Sequence, residues 1–143
     1  MPTAQDQSVR ALSEDLRLAC MRISRRVRFE SDHEVAPHQF SVLARLEAGP
    51  LTPRALAEIE KVSAPSMTRT LTCLVDDGLL DRSDHPDDGR QVLISLTDAG
   101  RETLRRTRAR RDAWMVSRVA ELSETDRATL TAATQILDRI AAR

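Results

Sequence analysis

Two short stretches of the chain combine hydroxyl and guanidinium groups in a pattern suited to binding a polyanion. The first interleaves several hydroxyls with one arginine, and its candidate binding residues are Ser63, Ser66, Thr68, Arg69 and Thr70. The second is a turn from Pro86 to Gly89 that is followed directly by Arg90. Hydroxyl and guanidinium groups donate hydrogen bonds to phosphate oxygens and to the edges of bases. These stretches therefore indicate a nucleic-acid contact.

The remaining composition supplies no catalytic apparatus. The 143 residues include 22 basic and 22 acidic side chains, so any electrostatic attraction to a partner must be local. The sequence has no tyrosine, no nucleophile elbow, no glycine-rich phosphate loop and no metal dyad. We expect a protein that is not an enzyme and that needs neither a cofactor nor a metal.

Cysteine usage and hydropathy indicate the compartment. The 2 cysteines, Cys20 and Cys73, have neither the number nor the spacing of a disulfide framework or a zinc knuckle, and we expect reduced thiols. No apolar run reaches membrane-spanning length, and the N-terminus lacks the apolar stretch of a signal peptide. The sequence favours a cytoplasmic protein with no membrane partner.

Apolar periodicity and capping residues predict six helices and one hairpin. The predicted helices are 8–29, 37–48, 53–60, 64–77, 98–120 and 124 to the end, and the predicted strands are 79–82 and 92–96. Thr52, Ser63, Thr97 and Ser123 each precede a predicted helix as an N-cap. The fold class is mainly α with a small β-hairpin, an α+β arrangement.

The order of short helix, three-residue turn, second helix and hairpin is that of a winged helix-turn-helix. In the second helix Met67, Leu71, Leu74 and Val75 share one face and are predicted to be buried. The opposite face would then present the remaining side chains to a DNA major groove; these are Ser66, Arg69, Thr70, Cys73 and Asp77. The alternative is a winged-helix module that binds protein and not DNA; salt-dependent binding to duplex DNA distinguishes the two.

The motifs along the chain resemble those of the MarR family of winged-helix transcriptional regulators. The most specific block is Asp88-Gly89-Arg90, continuing through Leu96-Thr97-Asp98-Ala99-Gly100. Further blocks are Leu51 to Ala57, Thr68-Arg69, Gly78-Leu79-Leu80, and Gln39 with Val42-Leu43.

The resemblance implies one family domain over 1–143, with a DNA-binding lobe at 36–100 and dimerisation helices at 8–30 and 101–143. It implies a homodimer on double-stranded DNA, a wing arginine (Arg90) in a minor groove, and release by a small aromatic or anionic ligand or by thiol oxidation. For a two-fold dimer we expect a pseudo-palindromic operator. We also expect the protein to act as a repressor.

The sequence departs from the family pattern in its second and third helices and near its wing. Ala36 stands where a threonine cap is usual, and Lys61 stands in a turn where glycine is frequent. Six acidic residues lie between Asp76 and Asp88 with only Arg82 among them. We expect Asp84 or Asp88 to orient Arg82 or Arg90 as a hydrogen-bond acceptor.

Other residues admit two interpretations. Phe40, Leu43 and Trp114 are candidates for a ligand pocket, although a single tryptophan also suits packing or a dimer contact. Metal-capable groups lie at Glu30, Asp32, His33, Glu34 and His38, for which a solvated loop is the preferred interpretation. Cys20 is expected in the core and Cys73 on the surface. The arginines of the fifth helix are expected either to attract DNA or to pair with acids of a neighbouring subunit.

Overall fold

The computed structural model describes residues 3–31 and 34–142, which form a helical protein with one two-stranded sheet. The helices are α1 (Ala4–Glu30), α2 (Pro37–Arg45), α3 (Pro53–Glu60), α4 (Ala64–Asp76), α5 (Asp98–Ala120) and α6 (Glu124–Ala141), and a short 3₁₀ turn, Leu46–Ala48, follows α2. The strands are β1 (Leu80–Asp84) and β2 (Val92–Leu96). The predicted fold class is confirmed.

Helix α1 begins four residues earlier than predicted because a capping box forms upstream. The Thr3 hydroxyl accepts a hydrogen bond from the Asp6 amide at 3.2 Å, and the Asp6 carboxylate accepts one from the Thr3 amide at 2.9 Å. Ala36 has no side chain with which to cap α2. The Gln39 side chain accepts from the Ala36 amide at 2.9 Å, so one free amide of α2 is satisfied in another way.

The strands pair antiparallel, with Leu80 opposite Leu96 and Asp84 opposite Val92. Leu51 adds an isolated bridge to Ile94, which ties the segment before α3 to the sheet. The inward residues of the hairpin are Leu80, Ile94 and Leu96. Val92 lies on the same side of β2 by alternation but is 37% exposed, because it is at the end of the ladder.

The core belongs to the middle of the chain. Its buried apolar residues are Val35, Val42, Leu43, Leu46, Leu56, Ala57, Met67, Leu71, Leu74, Leu80, Ile94, Leu96 and Leu104. No residue of α1 or α6 is buried. Cys20, predicted to lie in the core, is exposed in the single chain because the helix face that carries it has no cover there.

Thr97 joins the hairpin, α4 and α5. Its hydroxyl accepts from the Gly100 amide at 3.0 Å as the cap of α5 and donates to the Gly78 carbonyl oxygen at 2.7 Å. Gly100 packs so closely on Leu79 that an added Cβ would overlap the Leu79 carbonyl oxygen. The Leu-Thr-x-x-Gly motif thus fixes the start of α5 against the end of α4.

Among the described residues, no helix has the length and apolar character needed to cross a membrane.

Candidate nucleic-acid interface

The turn between α3 and α4 sets the direction of α4. Lys61 ends α3 in the left-handed region, at φ 54° and ψ 45°. The Ser63 hydroxyl then accepts from the Ser66 amide at 3.3 Å as the cap of α4. Lys61 therefore has a positive φ at a residue with a Cβ, where the conformation is unfavourable.

Helix α4 is anchored by its buried face and leaves the other face open. Met67, Leu71 and Leu74 are at most 2% exposed, whereas Arg69 and Cys73 are exposed and Ser66 is half-buried. Arg69 Nη2 donates to Ser66 Oγ at 3.3 Å. This contact lies one turn toward the N-terminus, so it holds the guanidinium over the first half of α4, where recognition helices touch bases.

Two further hydroxyls of α4 are engaged with the helix backbone. Thr68 Oγ1 donates to the Ala64 carbonyl at 3.0 Å, and Thr70 Oγ1 donates to the Ser66 carbonyl at 3.2 Å. Thr68 is exposed and Thr70 half-buried, on opposite flanks of α4.

The wing turn is organised by Asp88. Its carboxylate accepts from the Arg90 amide at 3.0 Å and its carbonyl from the Gln91 amide at 2.9 Å. The Arg90 side chain is exposed. Asp88 therefore positions Arg90 through the backbone, and no bond to its guanidinium is needed.

Arg82 contacts a partner that the sequence did not predict. Its Nη2 donates to Thr72 Oγ1 of α4 at 3.2 Å, so it links the wing to α4 and does not pair with Asp84 or Asp88. Asp84 lies at the end of the β1–β2 ladder, opposite Val92.

The three residues proposed for a ligand pocket have different surroundings. Leu43 is fully buried in the core and presents no surface to solvent in this conformation. The Phe40 ring lies 3.8 Å from Arg111 Cζ, and the Trp114 ring lies 5.8 Å from Arg26 Cζ and 5.0 Å from Arg118 Cζ. The two rings are therefore each covered by guanidinium groups.

Arg111 is the residue here that sequence reasoning missed. Its Nε and the hydroxyl of Thr107, one turn earlier on α5, are buried without a hydrogen-bond partner in the described structure. Burial, and then the neighbouring charge of Arg28, lower the pKa of the Arg111 guanidinium. Nothing in the sequence distinguishes Arg111 from the other arginines of α5, because its burial depends on how α1 and α2 pack against α5.

Other arginines of α5, expected either to attract DNA or to pair with a second subunit, form ion pairs within the chain. Arg106 donates to both carboxylate oxygens of Glu34, at 2.9 and 2.8 Å, and Arg110 donates to the same carboxylate at 3.1 Å. Arg108 holds both Glu47 oxygens at 2.7 Å. The hydrogen bond from Arg106 keeps the pKa of Glu34 below its ordinary range, as that from Arg108 does for Glu47.

Of the metal-capable cluster, Asp32 and His33 lie outside the described residues. Glu34 is held by arginines, and no group of three or more potential metal ligands occurs in 3–31 and 34–142.

An anchored helix with an outward arginine, followed by a hairpin with an exposed arginine at its tip, defines a winged helix-turn-helix protein. The model of the MarR family matches residues 35–92. An HTH-type transcriptional regulator of Mycobacterium tuberculosis is 42% identical over 128 residues, which cover 88% of this chain and 90% of the relative. The chain belongs to the MarR family of DNA-binding transcriptional regulators.

Solved structures agree with this assignment. A Pseudomonas aeruginosa protein described as a transcriptional regulator is 32% identical, with a TM-score of 0.79 over 99% of both chains. The Multiple Antibiotic Resistance Repressor, MarR, has a TM-score of 0.72 and 24% identity over 88% of this chain and 94% of that one, a similarity of fold.

Proposed function

We propose that this chain is a homodimeric repressor that places α4 of each subunit in the major groove of a pseudo-palindromic operator and Arg90 in the adjoining minor groove. The observation that carries the proposal is the Arg69–Ser66 contact, which presents a guanidinium over the first half of a helix whose other face is anchored in the core. A repressor acts by occupying DNA that polymerase must enter.

The terminal helices support the dimer. Exposed apolar side chains recur on α1, α5 and α6; they include Val9, Leu12, Ile23, Val116, Leu130, Ile136 and Ile140. Val116, for example, is 66% exposed. Apolar exposure that continues along three helices is unfavourable in water. A second copy brings the same surface and covers it by two-fold symmetry.

The test of DNA binding is a fluorescence-anisotropy titration of labelled duplexes chosen by rounds of selection from random sequence. We expect specific binding that weakens with salt, and a loss for Arg69→Ala of about 1–3 kcal/mol. Arg127→Ala is the matched control, because Arg127 is an exposed helical arginine on α6, outside the DNA-binding lobe. Failure to select any sequence would favour the protein-interaction alternative.

Sedimentation tests the dimer separately. A compact monomer at micromolar concentration would contradict it, and protection of a single half-site in a footprint would contradict the symmetric operator.

The same proposal includes release by a small organic anion at Arg111. The unpaired Arg111 Nε and Thr107 hydroxyl, the Phe40 ring and the nearby charge of Arg28 form a cationic site with hydrogen-bond donors, which suits a small organic anion. A shallow cleft of about 580 Å³, lined by Arg28, Arg111 and residues of α1 and α6, gives access from solvent. A carboxylate there would satisfy donors that the chain leaves unpaired.

Benzoate is a suitable probe for this site. We expect millimolar benzoate to raise the Tm of the parent protein and weaken its DNA binding, and Arg111→Met to abolish both effects. Arg105→Met, at an exposed arginine paired with Glu102, is the control. Equal responses of the two variants would remove Arg111 from the proposal.

A further inference from the structure

Helix α4 carries few groups that can read a base by donating hydrogen bonds. Between Ala64 and Asp76 its one cationic side chain is Arg69, and the segment contains no Asn, Gln or Lys. Asn and Gln are the side chains that pair with adenine through two hydrogen bonds in the major groove, and Arg and Lys are those that pair with guanine. This helix can read a guanine through Arg69, but it must distinguish A·T pairs in another way.

Thr68, the residue before Arg69, cannot donate a hydrogen bond to a base. A hydroxyl group has a single proton, and the Thr68 hydroxyl donates it to the Ala64 carbonyl oxygen at 3.0 Å. The hydroxyl is thereby held against the helix backbone. This exposed side chain can therefore offer a base edge its γ-methyl group, and its hydroxyl oxygen only as an acceptor.

The surroundings of Thr68 are apolar, with cations at the rim. It lines a cleft of about 530 Å³ between α3 and α4, together with Pro53, Ala57, Val62 and Ala64. Lys61, Arg54 and Glu58 border the same cleft and are exposed, and Arg54 Nε is paired with Glu58 Oε1 at 3.1 Å, so among the described residues Lys61 is the cation of this rim without a carboxylate on it. Cations at this position can hold phosphates of a strand whose base edges then face Thr68.

We propose that Thr68 recognises a thymine through contact between its γ-methyl group and the thymine 5-methyl group, beside a guanine read by Arg69. This inference rests on the proposed insertion of α4 into the major groove. Thymine is the base that presents a methyl group there, and threonine methyls are among the apolar groups that contact it.

The experiment is a double-mutant cycle on a selected duplex in which each half-site thymidine is replaced in turn by deoxyuridine, which lacks the methyl group. For the parent we expect one symmetric position at which the replacement weakens binding about three- to fivefold, the effect of exposing one methyl group. Thr68→Ser, which keeps the hydroxyl and loses the methyl, should bind the thymidine duplex about three- to fivefold more weakly and show no further loss with deoxyuridine.

Thr68→Val keeps a methyl group and loses the hydroxyl, so it should bind within about twofold of the parent. Thr129 is the matched control for helix effects, because it is also exposed and donates to its i−4 carbonyl, that of Thr125, at 3.0 Å. Thr129→Ser and Thr129→Val should leave DNA binding unchanged. Circular dichroism checks that every variant is folded.

The outcomes separate this inference from the function on which it rests. Two results would overturn the thymine contact alone. One is sequence-specific binding that no deoxyuridine replacement weakens; the other is additive losses of binding free energy from Thr68→Ser and from deoxyuridine. A parent protein for which no duplex can be selected overturns both.

Discussion

The hydroxyl of Thr97 donates a hydrogen bond at 2.7 Å to the carbonyl oxygen of Gly78, which ends α4, while the same oxygen caps α5. Thr97→Val removes both interactions and leaves the Gly78 carbonyl without its partner. We expect a loss of about 1–3 kcal/mol in the free energy of unfolding, measured by urea denaturation. Thr97→Ser should recover most of it, and equal losses for Val and Ser would contradict the hydrogen-bond account.

A substitution at Gly100 tests the close packing of α5 on Leu79, which lies between α4 and β1. A methyl group at this position would overlap the Leu79 carbonyl oxygen, which is backbone and cannot move aside cheaply. Alanine is favoured over glycine inside a helix by about 1 kcal/mol. The overlap should nevertheless dominate, so we expect Gly100→Ala to lower the free energy of unfolding by about 1–3 kcal/mol.

Gly89 is the control for that substitution. An added Cβ there meets nothing within 4 Å, and its φ is not positive. Gly89→Ala should change the thermal midpoint very little, and a stable Gly100→Ala protein would mean that the approach of α5 to Leu79 is not tight.

Lys61 stores strain that glycine would relieve. Its φ of 54° is unfavourable for a residue with a Cβ. Lys61→Gly should therefore stabilise the fold by about 0.5–1 kcal/mol, whereas Lys61→Ala should not. Equilibrium unfolding of the three proteins decides the matter; stabilisation by alanine would show that the lysine side chain, and not its backbone, is responsible.

Glu34 contributes stability that depends on pH. Arg106 holds the pKa of Glu34 below its ordinary value, so the folded state favours the carboxylate. The contribution is present above the ordinary glutamate pKa and is lost as the pH falls through the lowered one. The melting temperature of Glu34→Gln should lie below that of the parent at pH 7, and the two should converge as the pH falls through the lowered pKa of Glu34. A difference that stays constant with pH would contradict the ion pair.

Arg90 should act on DNA and not on stability. Its side chain is exposed, and Asp88 holds only its backbone. Arg90→Ala should weaken DNA binding and reduce the slope of log K against log salt by about 1, with an unchanged melting temperature. Arg90→Lys should recover part of the affinity, because lysine keeps the charge but is more strongly hydrated. Parent-like binding of both variants across a salt titration would exclude the wing from the interface.

The elements could be read from the sequence because the signals that define them are local. The caps Thr52, Ser63, Thr97 and Ser123 all precede the helices predicted for them. The buried face of α4 also followed from spacing alone, since helical periodicity places Met67, Leu71 and Leu74 on one side whatever the helix packs against. The order of these local elements then predicted the winged helix-turn-helix, and the family motifs agreed with it.

Partners far apart in the chain were decided only by the tertiary structure. Arg106 is one of many arginines on α5, and its pairing with Glu34, 72 residues earlier, depends on how the α1–α2 loop meets that helix. The same holds for the burial of Arg111 over Phe40, the full burial of Leu43 and the exposure of Cys20. Residues within one or two turns determine which side of a helix is apolar. Which other segment packs on that side depends on parts of the chain that are distant in sequence, and helical periodicity carries no information about them.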